Sequence, residues 1–453
     1  MRWFSAVCLW LALGSNAVAD KPKPLLKDFI GINGHFQFKP ELYRPTAGLV
    51  RNYHNMNWDV AKPGDPITLP KCVNKVNWDS QVYGKWLKHD YEIDLCAQFG
   101  QFGEGNKNYL ALWKGQEKWM EQYGEALAKT FGPSGKLKQV TSIEVGNEPG
   151  NDFDDALYQK LFIAMAKGIR KGDPKMKIVT ATARSGEADK YSKSLEETFS
   201  SKEALPLFDV INVHTYALLP KERQKKEKKS PWDRSYPEDP SIIYLKEADE
   251  AIAWRNKHAP GKEVWVTEFG YDSCTPGAMT KRDGWFKKLN WQPVTDTQQA
   301  QYLVRSVFCF AQRDVDRAYL YFFNDEDKAS VHASSGLTRY FKPKPAYWAM
   351  KHLQETLGEF RFEKVIKQEE GKAYLHQYRH ASKAKIAWVV WSPTGEGREE
   401  TITLPKVPGR VTLAEQMPLQ DGEPPKAKGK AVAGGGLELT ISESPTYLIF
   451  EPR

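Results

Sequence analysis

Apolar positions along the chain fall into two regimes. From about residue 29 to about residue 357, short apolar runs alternate with longer segments in which apolar residues return every three or four positions. Eight runs read as strands: 29–34, 48–53, 91–97, 140–146, 176–183, 208–215, 263–269 and 318–323. Several are nearly unbroken and rich in Val and Ile, as suits a parallel strand covered on both faces. Helical spacing joins Leu157, Leu161, Ala164, Met165, Gly168 and Ile169, and Lys171-Gly172-Asp173-Pro174 stops that helix. Leu303, Val307, Phe310 and Ala311 make a second stripe, and 344–357 a last helix. Eight strand-then-helix units predict an α/β fold, a (β/α)8 TIM barrel. A doubly wound sheet would place a phosphate-cradling Gly-x-Gly-x-x-Gly after its first strand, and none follows here.

Near residue 362 the pattern changes to short runs separated by turns, at 373–378, 385–391, 400–404, 410–413, 437–441 and 447–450, with no helical spacing. This predicts a small C-terminal antiparallel β-sandwich, with the Gly-, Pro- and Lys-rich stretch 421–436 as a loop. At the other end, Arg2, the apolar stretch 3–13 and Ala17-Val18-Ala19 have the order of a cleavable export signal. The expected division is 1–19 signal peptide, 20–361 barrel and 362–453 sandwich, in a secreted or periplasmic protein. No other stretch reaches the roughly 20 apolar residues of a membrane span.

Composition adds little to the fold and something to the chemistry. A hydrophobic share of 41% suits a globular core, and 15 Trp with 20 Tyr supply flat faces on which sugars stack. The formal charge of +8 owes much to the run from Lys221 to Lys229, read as a solvated loop that leaves room for an anionic polysaccharide. Nucleic acid is not expected, because no binding motif accompanies the charge. Cys96 and Cys309 sit in apolar runs as buried thiols, whereas Cys72 and Cys274 lie in loop-like sequence and could pair. There is no zinc-type spacing, and neither metal nor cofactor is expected.

Two carboxylates stand at the C-terminal ends of strands four and seven. They are Glu148, in Gly146-Asn147-Glu148-Pro149, and Glu268, in Thr267-Glu268-Phe269-Gly270. A barrel presents its chemistry at that face. Cleaving a glycosidic bond with retention needs two carboxyl groups about 5–5.5 Å apart, one protonated to help the leaving oxygen depart and one ionised to attack.

The two motifs, three strands apart, resemble the signature of glycoside hydrolase clan A, and the added sandwich resembles family 39. The resemblance covers roughly residues 28–357 and, more loosely, the tail. It implies a retaining hydrolase of O-glycosidic bonds with Glu148 as acid/base and Glu268 as nucleophile. It further implies that Asn147 bonds the sugar 2-hydroxyl, that Arg51 holds the nucleophile ionised, and that His214 and Tyr216 stand near it. Many members end strand eight with a Trp under the sugar; here Phe323 or Asn324 would take that place. Trp58, Trp232, Trp285 and Trp291 fall in loops at the catalytic face as candidate sugar platforms. A catalytically silent carbohydrate-binding barrel and a transglycosylase are the competing readings.

Overall fold

The computed structural model describes residues 21–99, 102, 109–149, 155–182 and 190–452. The export signal expected at 1–19 lies outside these residues. Eight strands form the centre: β1 (Ile30–Gly34), β2 (Leu49–Asn55), β3 (Glu92–Gln98), β4 (Ser142–Val145), β5 (Lys177–Thr180), β6 (Val210–His214), β7 (Glu263–Phe269) and β8 (Arg317–Leu320). They pair in parallel in sequence order, and β8 closes on β1. Each overlaps one of the eight apolar runs, and the fold is the expected (β/α)8 barrel with a C-terminal β-sandwich.

Side chains of a strand alternate between faces, so the barrel interior fills in layers. Leu49, Val179, Val210, Trp265 and Tyr319 pack together as an apolar layer toward the N-terminal ends of the strands. Gly31 makes room for it, since a Cβ there would sit 2.2 Å from the Tyr319 ring. Two residues further along, the interior turns polar, with Asn33, Arg51, Glu144, Asn212 and Thr267 all buried. Outside, helices Glu117–Phe131 and Asp155–Gly172 pack so closely that a Cβ on Gly168 would lie 1.9 Å from the Glu121 carbonyl. Helix Asp296–Gln312 starts in a capping box between Thr295 and Gln298.

After β8 come three two-residue strands, β9 (Asn324–Asp325), β10 (Thr338–Arg339) and β11 (Lys342–Pro343), then helix Pro345–Leu357. The tail contributes β12 (Phe360–Glu369), β13 (Ala373–His380), β14 (Ile386–Trp391), β15 (Glu399–Leu404), β16 (Arg410–Gln416), β17 (Gly429–Ala431), β18 (Leu437–Ser442) and β19 (Thr446–Glu451). They form two antiparallel sheets, ordered β12-β13-β14-β19-β16 and β15-β18-β17. Leu375, Val390, Leu404, Ile441 and Leu448 are among the residues that fill the space between them. The other face of the larger sheet meets the barrel, where Tyr378, Trp391 and Tyr447 surround Phe308. Beside it, Arg305 pairs with buried Glu238, to which Trp391 Nε1 also donates at 2.7 Å.

Two of these strands escape the apolar pattern for physical reasons. Register shifts between Phe362 and Lys364 and between Val365 and Lys367 break the alternation of β12. Strand β17 lies inside the stretch expected to be a loop; all three residues are exposed, and it is held by backbone pairing along β18 and by an ion pair between Lys430 and Glu438 at 2.9 Å. The basic run is a short helix, Lys221–Glu227, with no buried residue, rather than a loop. Cys72 and Cys274 are both free, so the pairing considered for them does not occur, and Cys72 Sγ donates to Asp59 Oδ1 instead (3.2 Å). Among the described residues no helix is long and apolar enough to cross a membrane.

Candidate active site

Glu148 lies three residues beyond the end of β4, and Glu268 is the penultimate residue of β7. Parallel strands of one barrel deliver both to the same rim. A carboxylate oxygen of each and Nδ1 of His214 lie within 4.8 Å of one another. No more than 4.8 Å thus separates an oxygen of one carboxyl group from an oxygen of the other.

The two carboxylates have different surroundings. Glu268 is buried and receives four donors or cations. Arg51 Nη1 (3.0 Å) and the Tyr53 hydroxyl (2.6 Å) bind Oε1, while the Tyr216 hydroxyl (2.9 Å) and His214 Nδ1 (3.5 Å) face Oε2. Burial alone would raise its pKa, but the His214 ring, the Arg51 guanidinium and the two phenols overcome it and hold the carboxyl down at about 2. Burial and the charge of Glu268 push both phenols well above their usual range, so they remain donors. Glu148 is more exposed to the cleft and takes His214 Nδ1 at 2.9 Å.

Arg51 is fully buried at the centre of this arrangement. Its Nε and Nη2 grip Glu144 at 2.7 and 2.6 Å, and Nη1 reaches Asn33 Oδ1 at 2.8 Å. Nη2 donates to Asn147 Oδ1 at 2.8 Å, which turns the amide nitrogen of Asn147 the other way. His214 is fixed through its far nitrogen. The Thr267 hydroxyl gives its proton to Asn212 Oδ1 (2.5 Å), so its oxygen accepts from His214 Nε2–H at 3.0 Å, and Nδ1 is left facing the two carboxylates. Above these groups opens a cleft of about 420 Å³, walled by His35, Asn55, Gln98, Tyr321, Phe322 and His332.

Glu148, His214 and Glu268 each offer an atom with which a metal ion could be held, a grouping that no sequence spacing announces. Both oxygens of Glu268 already accept strong donors, an arrangement suited to a free carboxylate more than to a metal ligand.

Among solved structures, the chain is similar to a family 39 glycoside hydrolase from Bacteroides cellulosilyticus, at a TM-score of 0.68 and 15% identity over 95% of this chain and 83% of that one. It is also similar to a family 30 endoxylanase from Clostridium papyrosolvens (TM-score 0.57, 12% identity, 95% and 98% covered). A family 51 α-L-arabinofuranosidase from Bifidobacterium longum gives 0.59, 12%, 95% and 98%. The chain shares its fold with these enzymes. No family profile and no curated protein sequence matches it.

The structure gathers Glu148, Glu268, Asn147, Arg51, His214 and Tyr216 into one constellation, and it sets other candidates apart. Asn324 does not line the cleft: its Oδ1 accepts from the Thr338 hydroxyl and from Phe341 N, tying β9 to the turn after β10. Phe323 is buried against Phe38 and Tyr43, and it is Tyr321 and Phe322 that face the cleft. Trp291 is 1% exposed and packs on Phe286, so it has no face to offer a sugar, and Trp285 is exposed beside it. Trp58 is half-buried in an aromatic cluster with His35, Phe36 and Trp78, one ring back from the cleft wall. Trp232 stands behind His332 in the same way.

Tyr53, Glu144 and His332 were not anticipated. Alternation carries the signal for Tyr53, which follows Arg51 by two on β2. Nothing local marks His332, which lies in the loop between β9 and β10.

Proposed function

We propose that the protein is a retaining glycoside hydrolase in which Glu268 attacks the anomeric carbon and Glu148 is the acid and then the base. The observation that carries this reading is the asymmetry of two carboxyl groups within 4.8 Å. Glu268 is held ionised near pKa 2 by buried donors, while Glu148 stands open to the cleft, where a glycosidic oxygen would sit. Arg51 and Tyr53 orient the attacking carboxylate, and Asn147 offers its amide to the sugar beside it. In the first step Glu268 bonds to the anomeric carbon as Glu148 passes its proton to the departing oxygen. In the second, Glu148 takes a proton from water, which displaces Glu268 and frees the sugar with its original configuration. The three similar structures described above are glycoside hydrolases, which supports the same class. We read 20–361 as the catalytic barrel, 362–453 as an accessory sandwich and 1–19 as its export signal.

The test is chemical rescue. Glu268→Ala loses turnover, and azide restores it with a glycosyl azide of inverted configuration. Glu148→Ala keeps turnover of aryl glycosides with good leaving groups, which need little protonation. Exchange of the two rescue patterns would reverse the roles, and absence of both would refute the mechanism.

A further inference from the structure

His332 occupies an unusual position. Its backbone φ is +62°, a left-handed conformation that costs a non-glycine residue on the order of 1 kcal/mol, and its ring lines the cleft. The surroundings fix that ring. It stands edge-on to Tyr216 and Tyr321 at 4.6 and 5.8 Å, both cleft residues, and Tyr216 bonds Glu268. Behind it Arg234 donates to Gly270 O, pairs with Asp272 at 3.0 Å, lies over the Tyr216 ring, and places Nη2 3.3 Å from His332 Nδ1.

A guanidinium has only donors, so Nδ1 must accept, and the single ring proton is on Nε2. Burial, aided by the adjacent Arg234 charge, lowers the pKa of His332, and burial brings His35 across the cleft to about 4. Neither histidine is a cation at ordinary pH. Among the described residues that wall the cleft there is no Lys or Arg. Among the described residues, Arg51 and Arg234 lie beneath it, each already paired with a carboxylate. A uronate or sulfate placed here would be desolvated beside Glu148 and Glu268 with no countercharge among the described residues of the cleft wall, a burial that proteins avoid.

We propose that His332 is a specificity-determining residue whose Nε2–H donates to one hydroxyl of the sugar lying against Glu268, and that this sugar is uncharged. The proposal rests on the glycosidase reading and names the substrate class of the same site. It accounts for a histidine held where a glycine would be easier, and it turns away from the anionic polymer that the basic run first allowed.

The experiment uses the full chain and a panel of 4-nitrophenyl glycosides of neutral sugars and of a uronic acid, then monodeoxy forms of the best substrate. Neutral glycosides are turned over and the uronide is not. His332→Phe, checked for an unchanged melting curve, loses about tenfold in kcat/KM, the worth of one hydrogen bond of roughly 1.4 kcal/mol. His332→Gln, which can still donate, recovers part of the loss. For the glycoside lacking one particular hydroxyl, wild type and His332→Phe become equal. A deficit that is the same for every deoxy form, or no deficit, overturns the role of His332, and fastest turnover of the uronide overturns the uncharged class. Failure to cleave any glycoside overturns the glycosidase reading, and this proposal with it.

Discussion

Removing the Tyr53 hydroxyl should make the enzyme fail at a higher pH on the acid side. Glu268 is held at about 2 against an ordinary 4.5, a gap of 2.5 pH units worth about 3 kcal/mol in favour of the carboxylate. Burial opposes that gap, so the donors supply more than it shows. Tyr53 gives one of them, at 2.6 Å to Oε1, and a hydrogen bond to a charged group is worth ~1.5–3 kcal/mol. Tyr53→Phe keeps the ring and leaves Arg51 and Tyr216 in place, so the pKa should rise by roughly one unit, to about 3. The sign follows from which form attacks. In the proposed mechanism only ionised Glu268 attacks, so activity present above its pKa is lost as pH falls through it. The acid limb of kcat/KM, which reports the free enzyme, therefore moves up in the variant. The measurement is initial rates on an aryl glycoside from pH 2.5 to 7, with a return to pH 6 after each exposure to exclude acid unfolding. The fold should follow the same linkage: the depressed pKa adds stability that is full above about 4.5 and lost toward 2, and the variant should keep less of it at pH 7. Coincident acid limbs, with the variant folded, would refute the claim that these donors hold Glu268 ionised.

Arg305→Ala should cost about 3–5 kcal/mol in denaturant unfolding, because it leaves Glu238 buried without its cation where the barrel meets the sandwich. A loss below ~1 kcal/mol for Arg305→Ala would mean that Glu238 is solvated. Gly168→Ala should lower the melting temperature although alanine favours helices, since its Cβ would press on the Glu121 carbonyl, and an unchanged or higher value would contradict the close packing of the two helices. Replacing Lys221, Lys225, Lys226, Lys228 and Lys229 by Ser should leave kcat/KM and its salt dependence on a neutral aryl glycoside unchanged, because helix Lys221–Glu227 buries no residue and lines no part of the cleft.

The barrel was legible in the sequence because parallel strands buried on both faces must be runs of apolar residues, and eight such runs separated by amphipathic segments admit few other closures. Glu148 and Glu268 were legible for the same reason: a strand end is a position along the chain, and a barrel converts it into a position at one rim. What lies between those carboxylates was decided by the tertiary structure. That one guanidinium, Arg51, serves Glu144, Glu268, Asn33 and Asn147 at once depends on strands up to 235 residues apart in sequence (Asn33 to Glu268) meeting inside the barrel. The candidates on or just beyond the barrel strands, Arg51, His214 and Tyr216, came together with the carboxylates, whereas those on longer loops scattered. Trp291 turned into packing, Trp58 and Trp232 stood one ring behind the wall, and Asn324 became a tie between short strands. A strand fixes the direction of its side chains by its period of two, but a loop takes direction from whatever it packs against, and no run of residues records that. His332 shows the same limit from the other side. It reaches the cleft through a left-handed turn braced by Arg234 and Asp272, partners 98 and 60 residues away along the chain, and only the folded barrel sets them side by side.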